Sequence, residues 1–204
     1  MIIYKYIKMY PANLAGHVDT LRTLMRTFRR AKADVTYSQG YNPHMDLYFS
    51  PALGLGCEST CEYVGTKGKS CDLDKLNSVS APGIRFVECI ETEDVNLAAA
   101  VTSADYIVKG KGVADLHTRL QSQPFNIVQS GKDGDKIKDV SARIFSVTVV
   151  DADTLKLNLA CGNDNVRPDK LFSTLNFEPD SIVKTEMFVG NETVDCYLNS
   201  HKLN

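Results

Sequence analysis

The chain opens with alternating apolar and polar positions and then switches to helical spacing. Residues 2–9, IIYKYIKM, are β-branched and aromatic in approximate alternation, which predicts a strand. After a PAN break, Leu14, Val18, Leu21, Met25 and Phe28 form one apolar stripe at three- and four-residue spacing. This predicts a helix running to about Ala33. SQGYNP reads as a loop, MDLYFSPAL as a strand cut short by Pro51, and CEYVGTK as a third strand. DLDKLNSV predicts a short helix with an acidic first turn, and PGIRFVECIE a strand entered through a Pro-Gly turn. The order is β-α-β-β-α-β.

The second half repeats that order without repeating the residues. ADYIVKG reads as a strand, VADLHTRLQS as a helix, FNIVQS as a strand and GKDGD as a turn. ARIFSVTVV and TLKLNLAC predict a hairpin around DADT. RPDKLFSTL reads as a helix with Pro168 in its first turn, and DSIVKTEMFV as a last strand. A strand or two is left over. The pattern predicts an α+β protein of two ferredoxin-like halves, residues 1–95 and 103–204, with antiparallel sheets carrying helices on one face. The junction falls in TEDVNLAAAVTSA, residues 92–104.

Composition narrows the classes. At 204 residues, 43% hydrophobic and 24% charged, the chain reads as globular, and no apolar run approaches a membrane span. The lysine- and tyrosine-broken N-terminus does not read as a signal peptide, so a cytoplasmic protein is expected. The six cysteines lack zinc or iron–sulfur spacing, so no metal site and no cofactor are expected, and they read as free thiols. Neither a P-loop nor a G-x-G-x-x-G turn occurs in a suitable setting.

Charge is distributed unevenly. Residues 1–50 hold seven Lys/Arg against three acids, although the whole chain has a formal net charge of −2. Four of the seven are Arg22, Arg26, Arg29 and Arg30, spaced to lie together on the first helix opposite its apolar stripe. Like charges at that spacing repel unless an anion sits beside them, and guanidinium forks suit phosphate. A solvated basic face, arginines paired to acids elsewhere, or a small phosphorylated ligand are the other readings. The loop that follows, YSQGYNPH, brings Tyr37 and Tyr41 as aromatic faces and Gln39 and Asn42 as amides, with Ser38, Gly40 and His44 around them. These are the ingredients for stacking and hydrogen-bonding unpaired bases, and equally those of a tight loop with half-buried tyrosines. His17, Asp19 and His44 offer an acid/base set or three metal ligands for a hydrolase or nuclease. Against this, His17 and Asp19 lie two residues apart and point different ways, and Asp19 suits the positive end of the helix. Ser38 and Ser50 lack a nucleophile elbow.

The stretch GHVDTLRTLMRTFRRA, then TYSQGYNPH, then LYFSPALGLGCESTCEY resembles a bacterial family of uncharacterised radical-SAM-linked proteins. His17, Asp19, Arg22, Arg26, Arg29 and Arg30 match the family's helix pattern. Ser38, Gly40, Asn42, Pro43 and His44 match its loop, and Leu53, Gly56, Ser59 and Glu62 its third block. RPDKLFSTL resembles a weaker C-terminal motif. Gly16, Val18 and Met45 depart from the family's serine, leucine and second proline. The resemblance implies an accessory module that is often fused behind radical-SAM enzymes, with such an enzyme as partner and RNA nearby. This chain lacks the three-cysteine cluster motif, so that chemistry would belong to the partner. The combined expectation is a non-catalytic accessory module that binds RNA or another polyanion through the basic helix and loop. A hydrolase and a pure protein-interaction module are the alternatives.

Overall fold

A computed structural model describes residues 1–131 and 134–203. The first strand is β1 (Ile2–Lys8), and a 3-10 turn over Ala12–Leu14 leads into α1 (His17–Arg30). β2 (Leu47–Phe49), β3 (Glu58–Thr66), α2 (Leu73–Ser78) and β4 (Ile84–Glu91) follow as the pattern predicts. These strands lie in the order β4-β1-β3-β2 with every neighbouring pair antiparallel, which is the ferredoxin-like arrangement.

The 92–104 segment carries a short helix, α3 (Leu97–Ala100), and runs into β5 (Ser103–Lys109). The expected next helix divides into a 3-10 turn over Val113–Leu116 and α4 (His117–Leu120). β6 (Asn126–Gly131) and β7 (Gly134–Asp139) pair with each other as a separate two-stranded sheet and account for the surplus strands. The centre of the GKDGD turn, residues 132–133, lies outside the described residues. β8 (Ile144–Asp151), β9 (Thr154–Ala160), α5 (Pro168–Thr174) and β10 (Ser181–Val189) then complete the order β10-β5-β9-β8. It repeats the order of the first half.

The two halves share one sheet. β10 runs parallel to β3, with Val183 opposite Glu58 and Lys184 opposite Ser59, so nine strands join into a single surface. The pattern does not foretell the last elements, β11 (Glu192–Thr193) and α6 (Val194–Ser200), the helix being capped by the Thr193 hydroxyl. α1 and α2 cover one face of the first half, where Tyr4, Phe28 and Phe86 pack ring against ring. α6 adds cover on the other face, with Val194 and Leu198 in one apolar cluster with Ile3, Tyr63 and Ile90. Alternation in β1 sends Ile2, Tyr4 and Tyr6 to the first cluster and Ile3 to the second. Burial on both faces explains why β1 carries apolar residues on both, with Lys5 and Lys8 its two charged positions.

The expected apolar stripe of α1 is corrected. Thr20, Leu24, Thr27 and Phe28 are the buried residues, whereas Leu14 and Val18 are exposed and Leu21 and Met25 half-buried. The cause is local. The Thr20 and Thr27 hydroxyls donate to the Gly16 and Thr23 carbonyls at 3.0 Å, which leaves their methyl groups free to pack inward. Among the described residues no helix is long and apolar enough to cross a membrane.

Candidate functional site

Rotating the buried face of α1 towards Thr20, Leu24 and Phe28 leaves Val18, Asp19, Arg22, Arg26, Arg29 and Arg30 exposed. The four arginines do not share one role. Arg30 donates through Nε at 3.0 Å and through its guanidinium at 2.6 Å to the Val79 carbonyl, the C-cap of α2. It joins the ends of two helices. Arg22 stands 3.6 Å from Asp19, and both side chains are about two-thirds exposed, a geometry that contributes little. Among the described residues Arg26 and Arg29 form no ion pair. Three guanidinium groups therefore remain in a row with one weakly held counter-charge.

The loop between α1 and β2 is a pinched excursion. Thr36 donates its N–H to the Lys67 carbonyl and accepts from Asp46 N–H; two residues on, Ser38 exchanges backbone and hydroxyl bonds with His44. Tyr37 bridges Met45, and Met45 is buried in the same apolar cluster as Leu24 and Phe28 of α1. Ser38 and the His44 backbone thus form the neck of the loop. Gln39, Gly40, Tyr41, Asn42 and Pro43 form its exposed tip, and the Tyr41 ring is wholly in solvent. Helix and loop share a core anchor, but among the described residues no hydrogen bond or ion pair joins the arginines to the tip.

His17 packs edge-on against Phe49 of β2, with ring centres 5.8 Å apart. Among the described residues no group of three or more His, Cys, Asp or Glu side chains could hold a metal ion, so His17, Asp19 and His44 do not assemble as ligands. The six cysteines are free. Burial pushes the Cys57 thiol up to about 11 and the Cys61 thiol up to about 12, which suits packing rather than nucleophilic work.

Two features were not assigned a site role from the sequence. The first is apolar. Gly56 and Asn13 exchange hydrogen bonds, N–H to carbonyl at 3.0 Å and amide to carbonyl at 3.1 Å. This holds the PALGLG loop against the turn before α1, where Tyr10, Leu14, Val18 and Leu55 are all exposed. The second is a buried charge cluster. Lys184 Nζ lies 2.6 Å from Glu62 Oε1, and Lys8, itself buried, donates to the Ala15 carbonyl at 2.8 Å. A lysine inside the apolar alternation of DSIVKTEMFV was the available signal. The two motif segments 53–57 and 167–175 also meet: Leu55, Gly56 and Cys57 line one cavity with Asp169 and Ser173.

Residues 2–168 match the family described as an uncharacterized protein conserved in bacteria (DUF2344). No curated protein matches the chain.

Proposed function

The chain belongs to the bacterial family DUF2344, and on that premise we propose that it is a non-catalytic accessory module that binds single-stranded RNA. Arg22, Arg26 and Arg29 take phosphates, and Tyr37, Gln39, Tyr41 and Asn42 at the loop take bases. The carrying observation is the row of exposed guanidinium groups, whose one ion pair among the described residues is the weak Arg22–Asp19 contact. A solvent-facing row of like charges is locally unfavourable and gains most from a polyanion. The bare ring of Tyr41 supports the base-stacking half of the reading. A radical-SAM enzyme is the partner that the resemblance implies.

Anisotropy of a labelled single-stranded RNA across a salt series tests this. Arg22→Ala, Arg26→Ala and Arg29→Ala combined should weaken binding on every sequence and flatten the log–log salt slope by about 2. Tyr41→Ala should weaken binding by about 1–3 kcal/mol while sparing the slope. An unchanged slope in the triple variant would defeat the assignment. The exposed Tyr10, Leu14, Val18 and Leu55 favour a second reading, docking on a partner protein. Co-purification with a radical-SAM protein that survives nuclease treatment but is lost in Leu14→Glu would favour it over an RNA tether.

A further inference from the structure

The nine-stranded sheet ends in two different edges. β4 closes one side and carries Arg85, Glu88 and Glu91 along its length, the charged guards that keep an edge from pairing. β8 closes the other side as Ile144–Asp151, IFSVTVVD, with no charge before Asp151, no proline and no lysine. Among the described residues no strand pairs with its outer edge. Of its residues only Val147 is buried, while Phe145, Val149 and Val150 stand about half exposed. A β-prone, uncharged edge of this kind offers a row of free N–H and C=O groups to another strand.

We propose that the outer edge of β8 is the docking surface for a second copy of this chain, paired antiparallel about a two-fold axis at Val147. The sequence around β8 reads the same way, in chemical kind, from both ends. Pairing about Val147 sets Ser146 opposite the second copy's Thr148, and Phe145 opposite its Val149. Hydroxyl meets hydroxyl and apolar meets apolar, while Arg143, just before β8, is already paired with Asp164 of its own chain. Such cross-strand matches are what stabilise an antiparallel pair, and a two-fold contact requires self-complementarity of this kind. Register irregularities between Ile144 and Ser146 and between Val149 and Asp151 confine the regular stretch to Ser146–Val149. The contact is therefore short, and the dimer dissociates on dilution.

Sedimentation of the full chain over a concentration series should show a monomer–dimer equilibrium. Ser146→Glu with Thr148→Glu places like charges opposite each other twice and should weaken the dimer about tenfold or more. Ser146→Lys with Thr148→Glu places opposite charges at the same positions and should restore it. Both positions are exposed, and circular dichroism and melting establish that each variant is folded. A monomer at every concentration overturns the proposal. So does a dimer indifferent to the Glu/Glu pair, or one that the Lys/Glu pair fails to restore.

Discussion

Lys184 of β10 and Glu62 of β3 form an ion pair, 2.6 Å from nitrogen to oxygen, with side chains 0% and 5% exposed, beside the seam where the two halves meet. The contact is close but poorly aligned, since Glu62 Oε1 receives no hydrogen bond of good geometry, so the coupling is Coulombic first. Burial, the largest single influence, would lower the Lys184 ammonium, but the Glu62 charge together with the neighbouring Cys61 and Cys161 outweighs it and holds the group above the usual lysine value. Removing one partner strands the other charge in the core. Glu62→Gln or Lys184→Met alone should cost about 3–5 kcal/mol in urea unfolding, and Glu62→Leu with Lys184→Met should cost less than either. Lys184 binds its proton more tightly when folded. Its stabilising contribution is thus complete below the ordinary lysine value of 10.5 and is lost only as pH rises through the higher folded value. Lys8 works in reverse: burial lowers it, so stability from that group grows as pH climbs through its folded value towards 10.5. Stability that fell between pH 7 and 9 in wild type but not in Lys184→Met would contradict the sign of the Lys184 contribution.

The buried face of α1 is a separate matter of packing. Leu24 and Phe28 are wholly buried and Val18 is exposed. Leu24→Ala and Phe28→Ala should each lose about 2–5 kcal/mol, and Val18→Ala should stay within about 0.5 kcal/mol of wild type. Chemical denaturation of the three variants separates this face from the one that the apolar spacing predicts, on which Val18 would rank beside Phe28.

That contrast also marks where sequence reading succeeded and where it failed. β1, α1, β3 and β10 were legible because their periods, 2.0 or about 3.6, persist over seven or more residues. The ferredoxin-like order followed from the sequence of element types. The apolar spacing alone misplaces the α1 stripe, because threonine is polar by composition while Thr20 and Thr27 bond to their own helix and pack inward. α6 was missed because VDCYLNS is short and mixed, and its burial comes from Ile3 and Ile90, far away in the chain. The arginine row was legible as charge spacing. The separate role of Arg30 was not, because its acceptor is a backbone carbonyl 49 residues away.

Arg30 provides a control within the basic row. It donates twice to the Val79 carbonyl, so Arg30→Ala should lower stability by about 1 kcal/mol. Its effect on the salt slope of RNA binding should be smaller than that of Arg26→Ala. Melting and anisotropy on the same two proteins decide this: Arg30→Ala should move the melt and Arg26→Ala the slope. The reverse assignment would return Arg30 to the phosphate-contacting set and remove its bridging role.

Gly68 and Gly40 test how the α1–β2 loop is held. Both adopt positive φ, +129° and +144°, so any side chain strains the backbone at either position. Only Gly68 is also crowded: a Cβ there would lie 2.1 Å from the Asp34 carbonyl oxygen, whereas one at Gly40 meets nothing within 4 Å. Gly40→Ala should therefore cost about 1–2 kcal/mol, from backbone conformation alone. Gly68→Ala adds a clash with backbone that has no rotamer to yield. It should cost about 3 kcal/mol or more and break the bridge from Val35 to Gly68, loosening the neck below Ser38 and His44. Thermal unfolding gives the two costs, and amide exchange at Thr36 and Ser38 reports the neck. Equal losses in the two variants, with exchange unchanged, would assign the whole effect to φ and leave the Asp34 contact without weight.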